Sequence, residues 1–206
     1  MFVQTEKTPN PNSLKFLPGK KVSKDGSYEI LNKDETDNNL LRNILSINGV
    51  TGIFLGEDFL SVNKVENENW ENIKHIVISH INEYYSDGNE YIIDKSFNLS
   101  EKKNFTDIEK KIINILETKI RPAVARDGGD IKFKEFSNGK VTVELQGSCS
   151  GCPSSTLTLK QGVENLLCHY IPEVKEVLAV WIINIFNIIQ VDSIYHEPKP
   201  NFKKKK

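Results

Sequence analysis

The chain opens with a weak alternation of apolar and polar positions over residues 2–16, interrupted by Thr8-Pro9-Asn10-Pro11-Asn12-Ser13. Proline fixes φ and has no amide to donate, so this segment predicts a rigid bend between two short extended pieces. Residues 17–27 (LPGKKVSKDGS) read as a loop. Over residues 37–47, Leu40, Leu41, Ile44, Leu45 and Ile47 make one apolar side of a helix. Two β-rich runs follow, VTGIFLG and DFLSVNKV, with Gly56-Glu57-Asp58 between them, the pattern of a hairpin. From about 70 to 85, Ile73, Val77, Ile81 and Tyr84 share one helical face.

The pattern then fades. Asp87-Gly88-Asn89 and the polar run 98–104 offer little to a core, and predict a linker. Beyond it, Thr106 and Glu109 have the spacing of a capping box, in which two end amides are satisfied reciprocally. Ile108, Ile112, Ile115, Leu116 and Ile120 continue at helical spacing until Pro122, which predicts a kink or restart. Asp127-Gly128-Gly129-Asp130 ends that helix. Two alternating strands come next, 131–135 and 141–145, joined by Asn138-Gly139, a strong hairpin turn. After the loop GSCSGC, Pro153 suits the first position of a helix lined by Leu157, Leu159, Val163, Leu166 and Leu167. Pro172 stops it, and Val174, Val177 and Val180 predict a last strand. The expectation is an α+β protein of two small α+β domains, residues 1–86 and 105–180, the second of α-β-β-α-β order. A linker spans 87–104, and a tail spans 181–206.

Composition narrows the function classes. The 206 residues carry 27 Lys+Arg against 28 Asp+Glu, a net charge of -1, which gives no global attraction to nucleic acid or an acidic membrane. The apolar stretch 177–191 is interrupted by Asn184, Asn187 and Gln190 and falls short of the ~20 residues that span a bilayer, so no membrane span is expected. Three cysteines and no secretory segment argue for a reducing compartment rather than a disulfide framework. The N-terminus has neither a signal peptide's basic and apolar regions nor a transit peptide's Arg-rich pattern, so the expectation is a cytoplasmic protein.

The chemistry is concentrated in Gly147-Ser148-Cys149-Ser150-Gly151-Cys152-Pro153. Two thiols separated by two small residues can converge on one centre. Cys152 adjoins a helix start, where free amides and the macrodipole favour a thiolate. Thiolates are the ligands that iron–sulfur clusters take, four to a cluster as a rule. Cys168 lies sixteen residues along the same helix, about 24 Å away at 1.5 Å per residue. The missing two ligands are therefore expected from a symmetry-related copy of the same loop. Such a cluster would lie exposed at an interface, which suits delivery. Two rivals remain open: a zinc-bridged dimerisation module, since zinc also accepts four thiolates, and a thiol–disulfide oxidoreductase, although no βαβ run precedes this CxxC. A nucleophile elbow at Gly147–Gly151 is disfavoured by Pro153, which biases residue 152 away from helix.

The segments RPAVARDGGDIKF, GSCSGCPSSTLTLKQGVENLL and HYIPEVKEV together resemble the C-terminal domain of NifU-like (Nfu-type) iron–sulfur proteins. MFVQTEKTPNPNSLKFLPG and GVTGIFLGEDFLSVNK resemble the N-terminal domain that accompanies it. The resemblance covers roughly residues 1–180. It implies a non-enzymatic scaffold or carrier of a [4Fe-4S] cluster, or a [2Fe-2S] one, bridged in a homodimer by Cys149 and Cys152 of each subunit. It further implies cluster assembly machinery as donor, apo iron–sulfur enzymes as recipients, and an N-terminal domain that aids partner contact. A bacterial cytoplasmic setting goes with it, since a mitochondrial relative would need a transit peptide. Cys168 and the tail 181–206 depart from the family pattern.

The other candidates have plainer readings. His75 and His80, five apart on a helix, point about 140° apart and do not chelate as a pair. Asp127 and Asp130 read as a capped turn rather than a cation site, and His169 and Tyr170 as packing at a helix end.

Overall fold

The computed structural model describes residues 2–94, 105–150 and 153–180. The fold is α+β, as the segregated patterns predict. Strands β1 (Gln4–Lys7) and β2 (Ser13–Leu17) pair antiparallel across the proline bend. That bend is held by the Thr8 hydroxyl, which donates to Asn10 O and Ser13 O, and by Asn10 Oδ1, which accepts from the Asn12 amide. With β3 (Tyr28–Ile30), β4 (Val50–Leu55) and β5 (Leu60–Lys64), they form an antiparallel sheet of order β1-β2-β5-β4-β3. Helices α1 (Asn39–Leu45) and α2 (Trp70–Ser86) carry the predicted apolar faces. The core between sheet and helices contains Phe16, Leu41, Ile44, Ile53, Leu60, Val62, Ile73 and Ile81, each at most 1% exposed.

Two elements differ from expectation. α1 is shorter than 37–47 because the Asn38 side chain caps it, accepting from the Leu41 amide. β3 falls just past the segment read as loop; its three residues are drawn into extended form by pairing with the edge of β4.

In the second half, α3 (Asp107–Ile115) begins with the predicted capping box. Pro122 does not kink the helix outright. The chain widens into a π-turn (Leu116–Ile120), in which the Arg121 amide reaches back five residues to Leu116 O, and resumes as α4 (Arg121–Arg126). A proline lacks the amide for the ordinary four-residue bond, and the wider turn relieves its clash with the preceding turn. Strands β6 (Gly129–Ser137) and β7 (Lys140–Gly147) form a hairpin whose turn has positive φ at both Asn138 (52°) and Gly139 (81°). Helix α5 (Pro153–Tyr170) crosses back so that β8 (Glu176–Val180) pairs parallel to β7. A second core, with Ile112, Leu116, Val124, Val141, Val143, Leu145, Val163, Leu167 and Val177, lies between this three-stranded sheet and its helices.

Candidate functional site

Cys149 sits where β7 gives way to the loop before α5. The Ser148 amide donates to Gly128 O at 3.1 Å and the Ser150 amide to Gly147 O at 3.1 Å, so the loop folds back over the α4–β6 corner. The Ser148 hydroxyl donates to Asp127 O. Gly147 has φ +67°, and a Cβ there would lie 2.7 Å from Gly128 O and 2.8 Å from Phe54 Cγ. Only glycine meets both the conformation and the space. The Cys149 side chain is turned inward: it is 6% exposed and belongs to the second core, with Sγ 3.9 Å from the Ser148 hydroxyl. Beside it is a largely apolar cavity of about 610 Å³, lined by Pro9, Ile120, Val124, Leu159 and Val163.

Cys149, expected to hold a cluster exposed at an interface, thus has a buried thiol. Cys152 falls outside the described residues, as do residues 95–104 of the expected linker 87–104 and the tail 181–206; residues 87–94 of that linker instead pack on the first half, where Ile92 is 4% exposed in its core and its amide donates to Val22 O. Cys168 is half-buried near the end of α5, and burial pushes its thiol pKa up, away from thiolate character. Among the described residues, no group of three or more His, Cys, Asp and Glu side chains converges as a metal site.

Asp130, expected in a capped turn, is instead part of a buried ion pair. Asp130, 2% exposed, accepts from Arg121 Nε (2.8 Å) and Nη2 (2.9 Å), from the Ile131 amide and from the Ser27 hydroxyl, while Asp127 is exposed. The hydrogen bond to Asp130 raises the Arg121 pKa, so the guanidinium keeps its charge. His75 is exposed and His80 lies 3.9 Å from Glu83. His169 and Tyr170 stack edge-on at 4.9 Å, with Lys119 over the Tyr170 ring.

Sequence reasoning did not find what covers the cysteine loop. The face of the first sheet turned away from α1 and α2 carries one cross-strand row, Lys15-Ser61-Phe54-Glu29. All four touch the corner or loop. Lys15 Nζ donates to Ala125 O and Arg126 O, and the Ser61 hydroxyl to Gly128 O at 2.7 Å. Phe54, 1% exposed, lies against Gly147. Glu29 Oε1 accepts from the Gly147 amide at 2.8 Å. Nearby, Asn63 Nδ2 donates to Gly147 O, and Asn10 Nδ2 to Ser148 O and Ser150 O. Burial pushes the Glu29 pKa from 4.5 up to about 7, against the lowering effect of the Gly147 amide. Burial also lowers that of Lys132, whose Nζ donates to Ser27 O across the same seam. The weak alternation through β2 and the β-rich run of β5 were legible, but not what the polar side of the sheet grips.

Cys149 thus stands at a strand–loop–helix junction of a small α+β body, with a second α+β body against its loop. The NifU-like domain family matches residues 112–178, and the N-terminal family of scaffold protein Nfu/NifU matches residues 3–88. NifU-like protein 4, mitochondrial, of Arabidopsis thaliana is 40% identical over 184 residues, covering 86% of this chain and 65% of the relative. The NFU1 iron-sulfur cluster scaffold homolog, mitochondrial, of Drosophila erecta is 42% identical over 185 residues, covering 88% and 65%. The chain thus spans just under two thirds of the length of these relatives. The solution structure of a NifU-like protein from Saccharomyces cerevisiae matches at 31% identity and a TM-score of 0.42, over 46% of this chain and 86% of that one. The protein belongs to the NifU-like (Nfu-type) family of iron–sulfur cluster scaffolds. Among the described residues, no helix is long and apolar enough to cross a membrane.

Proposed function

We propose that the protein is a non-enzymatic carrier that holds a [4Fe-4S] cluster between two copies, each supplying Cys149 and Cys152. It receives the cluster from assembly machinery and passes it to apo iron–sulfur enzymes. The observation that carries this reading is the placement of Cys149 in a glycine-flanked loop between strand and helix, within the segment that matches the NifU-like domain. Thiolate sulfur is the donor that iron–sulfide cargo takes. With Cys168 near the far end of α5, one copy has two sulfurs for a cargo that takes four, and a second copy completes the set. In this reading residues 1–86 and 105–180 are separate domains, joined by 87–104, and the first aids partner contact. The relatives' names place those proteins in mitochondria. Cell fractionation separates that compartment from the cytoplasmic one expected for this chain.

Anaerobic reconstitution with iron and sulfide tests the reading. The expected product is brown, dimeric and holds about four irons per dimer, or about two for a [2Fe-2S] cargo. A colourless zinc-bound dimer would favour the dimerisation module. Dithiol activity in a metal-free monomer would favour the oxidoreductase. An iron-loaded single copy without added thiol would overturn the shared cluster.

A further inference from the structure

Cluster binding needs thiols that a second copy can reach, yet Cys149 is 6% exposed and its loop is gripped from the other half of the chain. The grip is specific: it falls on main-chain groups at the loop and its supporting corner. The carbonyls of Gly128, Gly147, Ser148 and Ser150 accept from Ser61, Asn63 and Asn10, and the Gly147 amide donates to Glu29. Phe54 and Phe59, 1% and 5% exposed, lie outside both cores and are buried at or beside this seam.

The seam is also polar: Lys15, Asn10, Ser61, Asn63 and Glu29 supply its side-chain hydrogen bonds. Interfaces between bodies of one chain that are polar in this way resemble transient ones, and relative motion across them is the ordinary behaviour.

We propose that the face of the N-terminal sheet built on the Lys15-Ser61-Phe54-Glu29 row is a reversible cap on the cysteine loop. Docked, it holds the Cys149 thiol inward and keeps a second copy away. Released, it frees the loop to take up a cluster. The cap deepens the carrier reading and rests on it for its purpose, though not for its existence.

The test uses the full chain with Cys168→Ser, so that only the loop thiols react. Asn10→Asp with Asn63→Asp conserves shape, turns three amide donations into oxygen-to-oxygen repulsion, and leaves Asn10's acceptor role toward Asn12 intact. In the metal-free chain, alkylation of Cys149, located by fragment mass spectra, is expected to run at least about tenfold faster than in the parent. Ser61→Ala, a gentler change, is expected to give about threefold and serves should the double variant misfold. Equal rates in a folded variant overturn the cap, whether or not the protein loads iron. Faster alkylation with no cluster uptake in any variant leaves the cap standing and overturns the carrier reading. Faster alkylation with faster uptake supports both.

Discussion

Replacing Glu29 by Gln removes a charge that the structure holds in an unfavourable place while keeping an oxygen for the Gly147 amide. The carboxyl is drawn from 4.5 up to about 7, first by burial, then by Glu144 and Glu35, against the Gly147 amide and Lys132. Because the docked, folded pKa is the higher one, Glu29 is best tolerated protonated. Its destabilisation is absent below about pH 4.5 and grows as pH rises through about 7. At about 1.4 kcal/mol for each pH unit, the displacement sets a ceiling of about 3 kcal/mol. Solvent screening of a half-buried group leaves about 1–2 kcal/mol of it. Urea unfolding of parent and Glu29→Gln at pH 5 and pH 8 measures this. The variant should gain that amount at pH 8 and only about a quarter of it at pH 5. An equal gain at both values, or none at pH 8, would refute the reasoning.

Three further outcomes are expected. Cys149→Ser or Cys152→Ser should reduce bound iron after anaerobic reconstitution to background, because each copy loses half its sulfurs, whereas Cys168→Ser should load like the parent. Gly147→Ala forces a Cβ against Gly128 O and Phe54 at positive φ and should cost at least about 2 kcal/mol, read as a melting midpoint lower by about 4 °C or more. Asp130→Ala strands Arg121 and the Ser27 hydroxyl and should cost about 3 kcal/mol in urea unfolding, with Asp130→Asn losing less.

What the sequence revealed follows the range of the forces involved. The hairpins, α2, the capping box and the α-β-β-α-β order depend on neighbours within a few residues, and the apolar periods display them. β3 is extended only because β4 offers an edge, a contact set by residues more than twenty positions away. The π-turn reflects how the chain absorbs Pro122, which composition leaves open between kink and restart. At the site, the CxxC spacing made Cys149 conspicuous, but its burial depends on Ser61, Asn63 and Asn10, roughly 90 to 140 positions distant. Phe54 was the one available clue: an apolar residue on the face of β4 turned away from the helices, whose partner lies in the other half of the chain.

The parallel pairing of β7 with β8 has a consequence for biosynthesis. Lys140 must wait for Glu176, across the whole of α5, before its outer edge is hydrogen-bonded. Until then, a nascent chain that has formed the β6–β7 hairpin displays an open strand rich in Val141, Val143 and Leu145, a template for pairing with other chains. A product cut short before Glu176 is stuck at that stage, and should aggregate while its N-terminal sheet, completed by Lys64, folds normally.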